Sequence, residues 1–445
     1  MISVRTRLVR PGLWLAVIIF LATFAGWNIF RPAPVSSQSS TGHVFVWGRN
    51  EFGQLGNGTN TDQATPVALV NTDDVIRVAS GSAHTIALKR DGTVLAWGMN
   101  FFNQLGDGTL LDRNSPVPVG SLTDVIQIAA GGAHNLALKR DGTVLAWGYN
   151  DWGQVGDGTR TSQSTPVAIS GATDVVAVAA GASFSLALKR DGTVSAWGLD
   201  NYGQLGDGGP ISDFGYSPTP VAVTGLTDVA RIAAGGGHAL AIKRDGTLWA
   251  WGRYEIASDV TSSTPVQIAG VIDAQDIDAS TFSSLVLRTD GTVLAWGVNE
   301  EGQLGNGATT DRTSPTPVSG LSGVSQVAAG DFHSMALKRD GTVLAWGRDG
   351  EGQLGTGAVT NSAIPVVVND LTSIVHISAG TYHSTVLRTS FQAQPIEGIN
   401  LTPTPGDVNW QIVDTADFNR DGTPDLLWEH QTRDAHAIWL MGGPD

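Results

Sequence analysis

Residues 139–148 read KRDGTVLAWG, and the string returns letter for letter at 89–98 and 338–347. Close variants stand at 189–198, 243–252 and 288–297. Trp–Gly preceded by Ala or Val occurs seven times, at 47, 97, 147, 197, 251, 296 and 346, yet a hairpin Asp–Gly leads into it only six times. The surrounding unit, residues 125–169, contains four short apolar stretches: VIQIAA, HNLALK, TVLAWG and TPVAI. Asp141–Gly142 sits between the second and third, where a two-residue type I′ turn would match the twist of a hairpin. Four strands in a unit of about 50 residues, without helical periodicity, predict a propeller blade.

Working outward from that unit orders the strands. VIQIAAGG ends in small residues, as strands crowded around an axis require. LAWG carries a Trp suited to the wider space between blades, where burial of about 150–250 Å² contributes several kcal/mol at ~25 cal/mol per Å². The count mismatch then resolves. HVFVWG at 43–48 has no Asp–Gly hairpin before it, and HSTVLRTS at 383–390 has no Trp–Gly after it. Each supplies the half that the other lacks. Pairing them closes a seven-bladed all-β ring, with two inner strands from 374–389 and two outer strands from 43–70, and removes exposed sheet edges. The expected organisation is 1–41 leader and linker, 42–390 propeller, 391–407 linker and 408–445 a short β-rich unit.

Composition narrows the partners. The chain has 445 residues, 56 Gly, no Cys and a formal net charge of −15. No disulfide framework or thiolate metal site is possible. Residues 1–41 carry Arg5, Arg7, Arg10 and Arg31 and no acid. Residues 42–445 therefore carry −19, which repels phosphate backbones and argues against nucleic-acid binding. Between Arg10 and Arg31 runs an uncharged, mostly apolar stretch. A basic flank before such a run is the pattern of a signal peptide or membrane anchor, with residues 12–30 nearly long enough to span a bilayer. The expectation is an exported or membrane-anchored protein, with the propeller outside the cytoplasm.

The recurrent AAGG-x-H…LALKRDGTVLAWG…GQLGDGT…TPV resembles the repeats of the regulator of chromosome condensation family over residues 43–390. The resemblance implies a seven-bladed propeller closed in this two-plus-two manner. It implies little about activity, because such propellers serve as exchange factors, photoreceptors, inhibitors and adaptors. Photoreceptor relatives carry Trp just before a hub His. Here Ala83, Ala133, Gly237, Phe332 and Tyr382 stand there.

Candidate sites recur with the repeat. His84, His134, His238, His333 and His383 form a potential hub ring, with Phe184 and Ser283 in the other two units. They offer either a metal or anion site or ring N–H groups that satisfy neighbouring backbone carbonyls. The GQLGDGT segments lack the Lys or helix start of a phosphate cradle and read as turns. Just before this segment stand Phe52, Phe102, Trp152 and Tyr202, replaced by Glu301 and Glu351 in later units. These aromatics are either interface anchors on one face or shields between blades. Residues 253–264 lack GQLG, and Asp276 and Asp278 follow, either as an acidic patch or as repeat drift. The loops otherwise look uniform, with no long wedge-like insertion between blades.

At the C-terminus, Asp417, Asn419, Asp421 and Asp425 occupy positions 1, 3, 5 and 9 of a loop with Gly422 at position 6. That spacing suits Ca²⁺, although Trp428 replaces the position-12 Glu of an EF-hand. The segment resembles one FG-GAP/VCBS repeat, which normally recurs, so the chain reads as a fragment of a longer protein. No unit carries a nucleophile–base pair or a carboxylate pair beyond the repetition, so a propeller enzyme is disfavoured. The leading expectation is a non-catalytic binding scaffold for a protein or ligand. The competing one is an exchange factor for a small GTPase.

Overall fold

Strands alternate with tight turns along almost the whole repeat region, and the computed structural model arranges them as seven four-stranded antiparallel sheets. The structure describes residues 40–255, 260–391, 410–416, 425–430 and 436–439. Six sheets are each built from consecutive strands. The first blade, for example, runs Val75–Ser80, His84–Lys89, Val94–Gly98 and Arg113–Pro118 from axis to rim. The seventh is assembled from both ends, in the order Gln63–Ala68, Ser40–Gly48, His383–Phe391, Ile374–Ala379. Its seam is continuous, from Ser40 opposite Phe391 to Gly48 opposite His383. This is the closure that the unequal counts require.

The hairpin turn differs from the expected type I′. Gly92 has φ 82°, but Asp91 is not among the residues with positive φ. The Lys89 amide donates to the Thr93 carbonyl at 2.9 Å, and the Gly92 amide to the Lys89 carbonyl at 3.0 Å. The connection is thus a three-residue loop in which only the glycine is left-handed, a bulged type I turn. Asp91 serves a different purpose: its Oδ1 accepts from the Thr93 amide at 2.9 Å and hydroxyl at 2.6 Å. Those bonds hold its carboxyl below the usual range.

The Trp side chains do bind blade to blade. Trp147, fully buried, packs with Ile86, Leu88 and Val94 of the preceding blade. Trp47 packs with Met335, Leu337 and Val343, so the closing blade is welded to the sixth in the same way. Its other face meets the first blade through Val44, Val46, Trp97 and Leu387. Hydrophobic burial therefore runs around the ring without a break.

The three strands Trp410–Ala416, Asp425–His430 and His436–Trp439 form a separate antiparallel sheet. Residues 417–424 of the candidate calcium loop lie outside the described residues, as does the 12–30 stretch. Among the described residues, no helix is long and apolar enough to cross a membrane.

Candidate functional site

Six of the seven blade junctions are tied by a Gln carbonyl, and at the remaining one Trp296 donates to the Tyr254 carbonyl at 3.3 Å. In the turn XGQLG, the Gln carbonyl accepts the indole N–H of the next blade: Trp97 to Gln54 at 3.0 Å, Trp147 to Gln104 at 3.0 Å and Trp47 to Gln353 at 2.8 Å. The same carbonyl takes a second bond from the residue after the hub position, as from Ser185 to Gln154 at 2.9 Å. An Asn at the start of the loop organises the turn: Asn150, buried, accepts from the Val155 amide and donates to the Thr159 and Thr161 carbonyls. The spacing Trp–Gly–x–Asn/Asp was the available signal for this role. The GQLGDGT segments are accordingly turns cross-linked to their own blade and the next.

The hub histidines are fully buried and point across the junctions. Nε2 of His134 lies 2.9 Å from Ser185 Oγ, and Nε2 of His383 lies 3.0 Å from Thr85 Oγ1. Each hydroxyl already donates its single hydrogen to a Gln carbonyl, so it must accept from the imidazole. For His84 the acceptor is Asn135 Oδ1 at 2.8 Å, while Asn135 Nδ2 donates to Gln104. The partner is thus a side chain of the next blade, not the backbone carbonyl anticipated from sequence. Nδ1 has no partner in any of the five rings. Burial without a second acceptor pushes His84, His238 and His333 down to about 4, and His134 and His383 to about 3. Glycine is required beside them: a Cβ at Gly81 would lie 2.2 Å from Cε1 of His84 and 2.6 Å from the Gly131 carbonyl oxygen. Of the two exceptions, Phe184 faces the junction where the next blade has Ala239 in place of the hydroxyl residue, so the polar pair is lost as a unit. Ser283 instead bonds within its own blade, to Ser280 Oγ at 3.1 Å, while the next blade keeps Ser334.

Inside the axis a second set of bonds joins inner strands. Gln127 clamps the backbone of Val178 through both its oxygen and its nitrogen, and Gln326 does the same to Ile377. Asp278 Oδ2 accepts from the Ala329 amide at 2.8 Å, and Asp276 pairs with Arg231 at 3.4 Å. These two acids therefore serve the junctions of a divergent blade. Enclosure pushes the Asp278 carboxyl up to about 7. At the mouth, Ser80–Ser82, Ser280, Thr281, Asp331 and Thr381 line an axial cavity of ≈ 70 Å³.

The mouth opens on the face that carries the loops between third and outer strands. Phe52, Phe102, Trp152 and Tyr202 all lie on this face and are half-buried. Tyr202 sits beside the next blade's residue preceding the hub position, Gly237. A Cβ at Gly237 would lie 2.7 Å from the Tyr202 ring. The swap to Glu301 and Glu351 has a partner swap: the neighbouring Phe332 and Tyr382 replace small residues and stack at 5.1 Å. Arg348 then ties Glu301 and Glu351 together at 3.1 Å each. Packing against the neighbouring blade thus accounts for part of the surface of Tyr202 and, through Tyr149 at 5.0 Å, of Phe102.

The more exposed apolar residues are ones the repeat pattern did not single out. Phe101 is 69% exposed, Leu110 61%, Leu111 62% and Phe214 78%. Phe214 belongs to GGPISDFGY, where the second unit has GTRTSQ, so this loop is longer than its counterparts and corrects the expectation of uniform loops. The extra residues were the signal. Contacts run unbroken along this arc: Phe101 to Phe102 at 5.0 Å, Phe102 to Tyr149 at 5.0 Å, and Tyr149 Oη to Asp151 at 3.0 Å. Arg160 continues it, bonding the Asp151 carbonyl and lying over Trp152 at 6.0 Å and Tyr216 at 4.7 Å.

Comparison with known proteins agrees with this architecture. An RCC1-like domain model matches residues 103–394, and regulator of chromosome condensation (RCC1) repeat models match 41–88 and 75–104. The ultraviolet-B receptor UVR8 of Arabidopsis thaliana is 44% identical over 52 residues, a match covering 11% of this chain and 12% of the receptor. Human WBSCR16 superposes with a TM-score of 0.70 at 26% identity, over 79% of this chain and 99% of that one. Prp20p of Saccharomyces cerevisiae, described with its binding to Gsp1p and histones, superposes with a TM-score of 0.69 at 24% identity. That match covers 79% of this chain and 92% of Prp20p.

Proposed function

The chain belongs to the RCC1-like propeller family, and from that premise we propose that it is a non-catalytic scaffold binding a protein partner through its loop-bearing face. The observation that carries this reading is the continuous arc from Phe101 to Tyr216, through half-buried Phe102 and Trp152, on loops that also expose Leu110, Leu111 and Phe214 to solvent. Exposed apolar groups clustered on loops of a rigid ring cost solubility unless a partner covers them. Aromatic side chains supply large contact area at low entropic cost, which makes them effective anchors. The hub histidines, by contrast, are committed to the junctions and are out of a ligand's reach. Prp20p, alone and bound to Kap60, shows that propellers of this repeat class bind proteins, Gsp1p and Kap60 among them.

The full chain and a Phe101→Ser, Phe214→Ser variant, used as paired baits in extracts of the source cells, test the reading. Loss of a retained protein in the variant, at unchanged melting temperature, supports it. Retention by both removes the arc from consideration. Catalysed nucleotide release from a small GTPase would favour the exchange-factor alternative instead. Export or membrane anchoring rests on the basic–apolar leader, and Ca²⁺ binding rests on the spacing of Asp417, Asn419, Asp421 and Asp425.

A further inference from the structure

We propose that the arc takes a basic polypeptide segment carrying apolar anchors, an inference that rests on the protein-binding reading above. Three neighbouring loops, residues 99–112, 149–162 and 199–216, build it. They contain seven aspartates, at 107, 112, 151, 157, 200, 207 and 213, and a single cation, Arg160. Arg113, just beyond the first loop, is committed to Asp107 at 2.8 Å. Arg160 is held flat between Trp152 and Tyr216 with its Nε on the Asp151 carbonyl, so it serves as part of the apolar floor. Asp151 and Asp213 project to solvent. The surface therefore offers exposed Phe101 and Phe214 at its two ends within a field of negative charge.

That combination selects among partners. Anionic lipid surfaces and nucleic acids are repelled by an excess of carboxylates at this density. An acidic protein is repelled for the same reason, and like-charge juxtaposition at an interface costs several kcal/mol. A Lys/Arg-rich segment gains both long-range attraction and, through its own Leu or aromatic side chains, contact with the exposed rings. Opposite the arc the charges are different. Glu301 and Glu351 share the single cation Arg348, and Arg348 and Arg49 lie over the Tyr382 ring at 5.6 and 5.5 Å.

The test uses the full chain and three synthetic peptides with the same Phe and Leu positions. One is rich in Lys and Arg, one is neutral and one is rich in Asp and Glu. Fluorescence anisotropy should show the basic peptide binding at least about tenfold more tightly than the neutral one, with no binding of the acidic one. Asp151→Asn with Asp213→Asn should weaken the basic peptide several-fold and flatten its salt dependence. Phe101→Ser with Phe214→Ser should abolish binding while leaving the melting temperature unchanged, since both rings are exposed. Binding that ignores peptide charge overturns the basic partner and leaves a docking arc. Failure of all three peptides overturns both. Basic-peptide binding that survives the Phe double variant places the site elsewhere and overturns the inference.

Discussion

Replacing His134 by Phe together with Ser185 by Ala transplants the Phe184–Ala239 junction one position around the ring and should make the protein less acid-sensitive. In the folded chain His134 is held near 3 by burial, and Nδ1 has no acceptor for a second proton. An unfolded histidine titrates near 6.5. The folded value is depressed, so the neutral ring contributes fully above about pH 6.5, and that contribution is lost as pH falls from 6.5 toward 3. At about pH 5 the unfolded chain holds nearly one extra proton at this site, which costs about 2 kcal/mol. His84, His238, His333 and His383 share this environment, and His376, donating to the Val78 carbonyl at 3.0 Å, is also near 3. Denaturant unfolding at about pH 7.5 and about pH 5 reads the difference. Wild type should lose stability steeply over this range, and the double variant should lose about 2 kcal/mol less. NMR titration should show the hub Cε1–H resonances unmoved down to about pH 5. Equal acid sensitivity in the two proteins, or hub histidines titrating near 6.5 in the folded state, would refute the bare-Nδ1 account.

Other outcomes follow from the same geometry. Asp278 moves the opposite way: its raised folded value means stability is lost as pH rises from 3.8 toward about 7. Because both carboxyl oxygens accept from backbone amides, Asp278→Asn gives up one of these bonds and should cost stability near pH 4, a cost that shrinks by on the order of 1 kcal/mol at about pH 8; calorimetry at both values checks this. Deleting residues 42–48 removes the strand facing 383–391 and Trp47, and should lower the melting temperature by well over about 10 °C. Trimming residues 392–445 should leave the propeller transition in place, and equal melting of both truncations would disprove the closure. Calcium titration should stabilise the C-terminal unit, and Asp417→Ala with Asp421→Ala should abolish the effect in the same melting assay. A reporter fused after residue 60 should be recovered outside the cytoplasm, whereas cytoplasmic recovery would remove the export assignment.

Ring closure was legible because it is a matter of counting: seven strands ending in Ala/Val–Trp–Gly, six hairpin Asp–Gly leading into them, and complementary halves at 43–48 and 383–390. The position of Trp between blades was equally legible, because volume and repetition together leave little choice. Turn type was misread at Asp141–Gly142, since a dipeptide does not reveal how many residues the flanking strands leave unpaired. Only the Lys139–Thr143 backbone bond decides that. The histidine acceptor was out of reach for a related reason. His134 and Ser185 are 51 residues apart and meet only because successive blades are rotated into contact. The recurrence of His showed that the position matters, but the tautomer and the depressed protonation follow from a hydroxyl on another blade and a Gln carbonyl on a loop. The exposed arc divides the same way. Sequence alone marked Phe52, Phe102, Trp152 and Tyr202 by their common register, because periodicity selects equivalent positions. Which rings reach solvent was decided in three dimensions, where neighbouring blades cover part of the repeated aromatics and leave the unrepeated Phe101 and Phe214 uncovered. A repeat determines its own contacts with its copies; what departs from the repeat is placed only by the assembled ring.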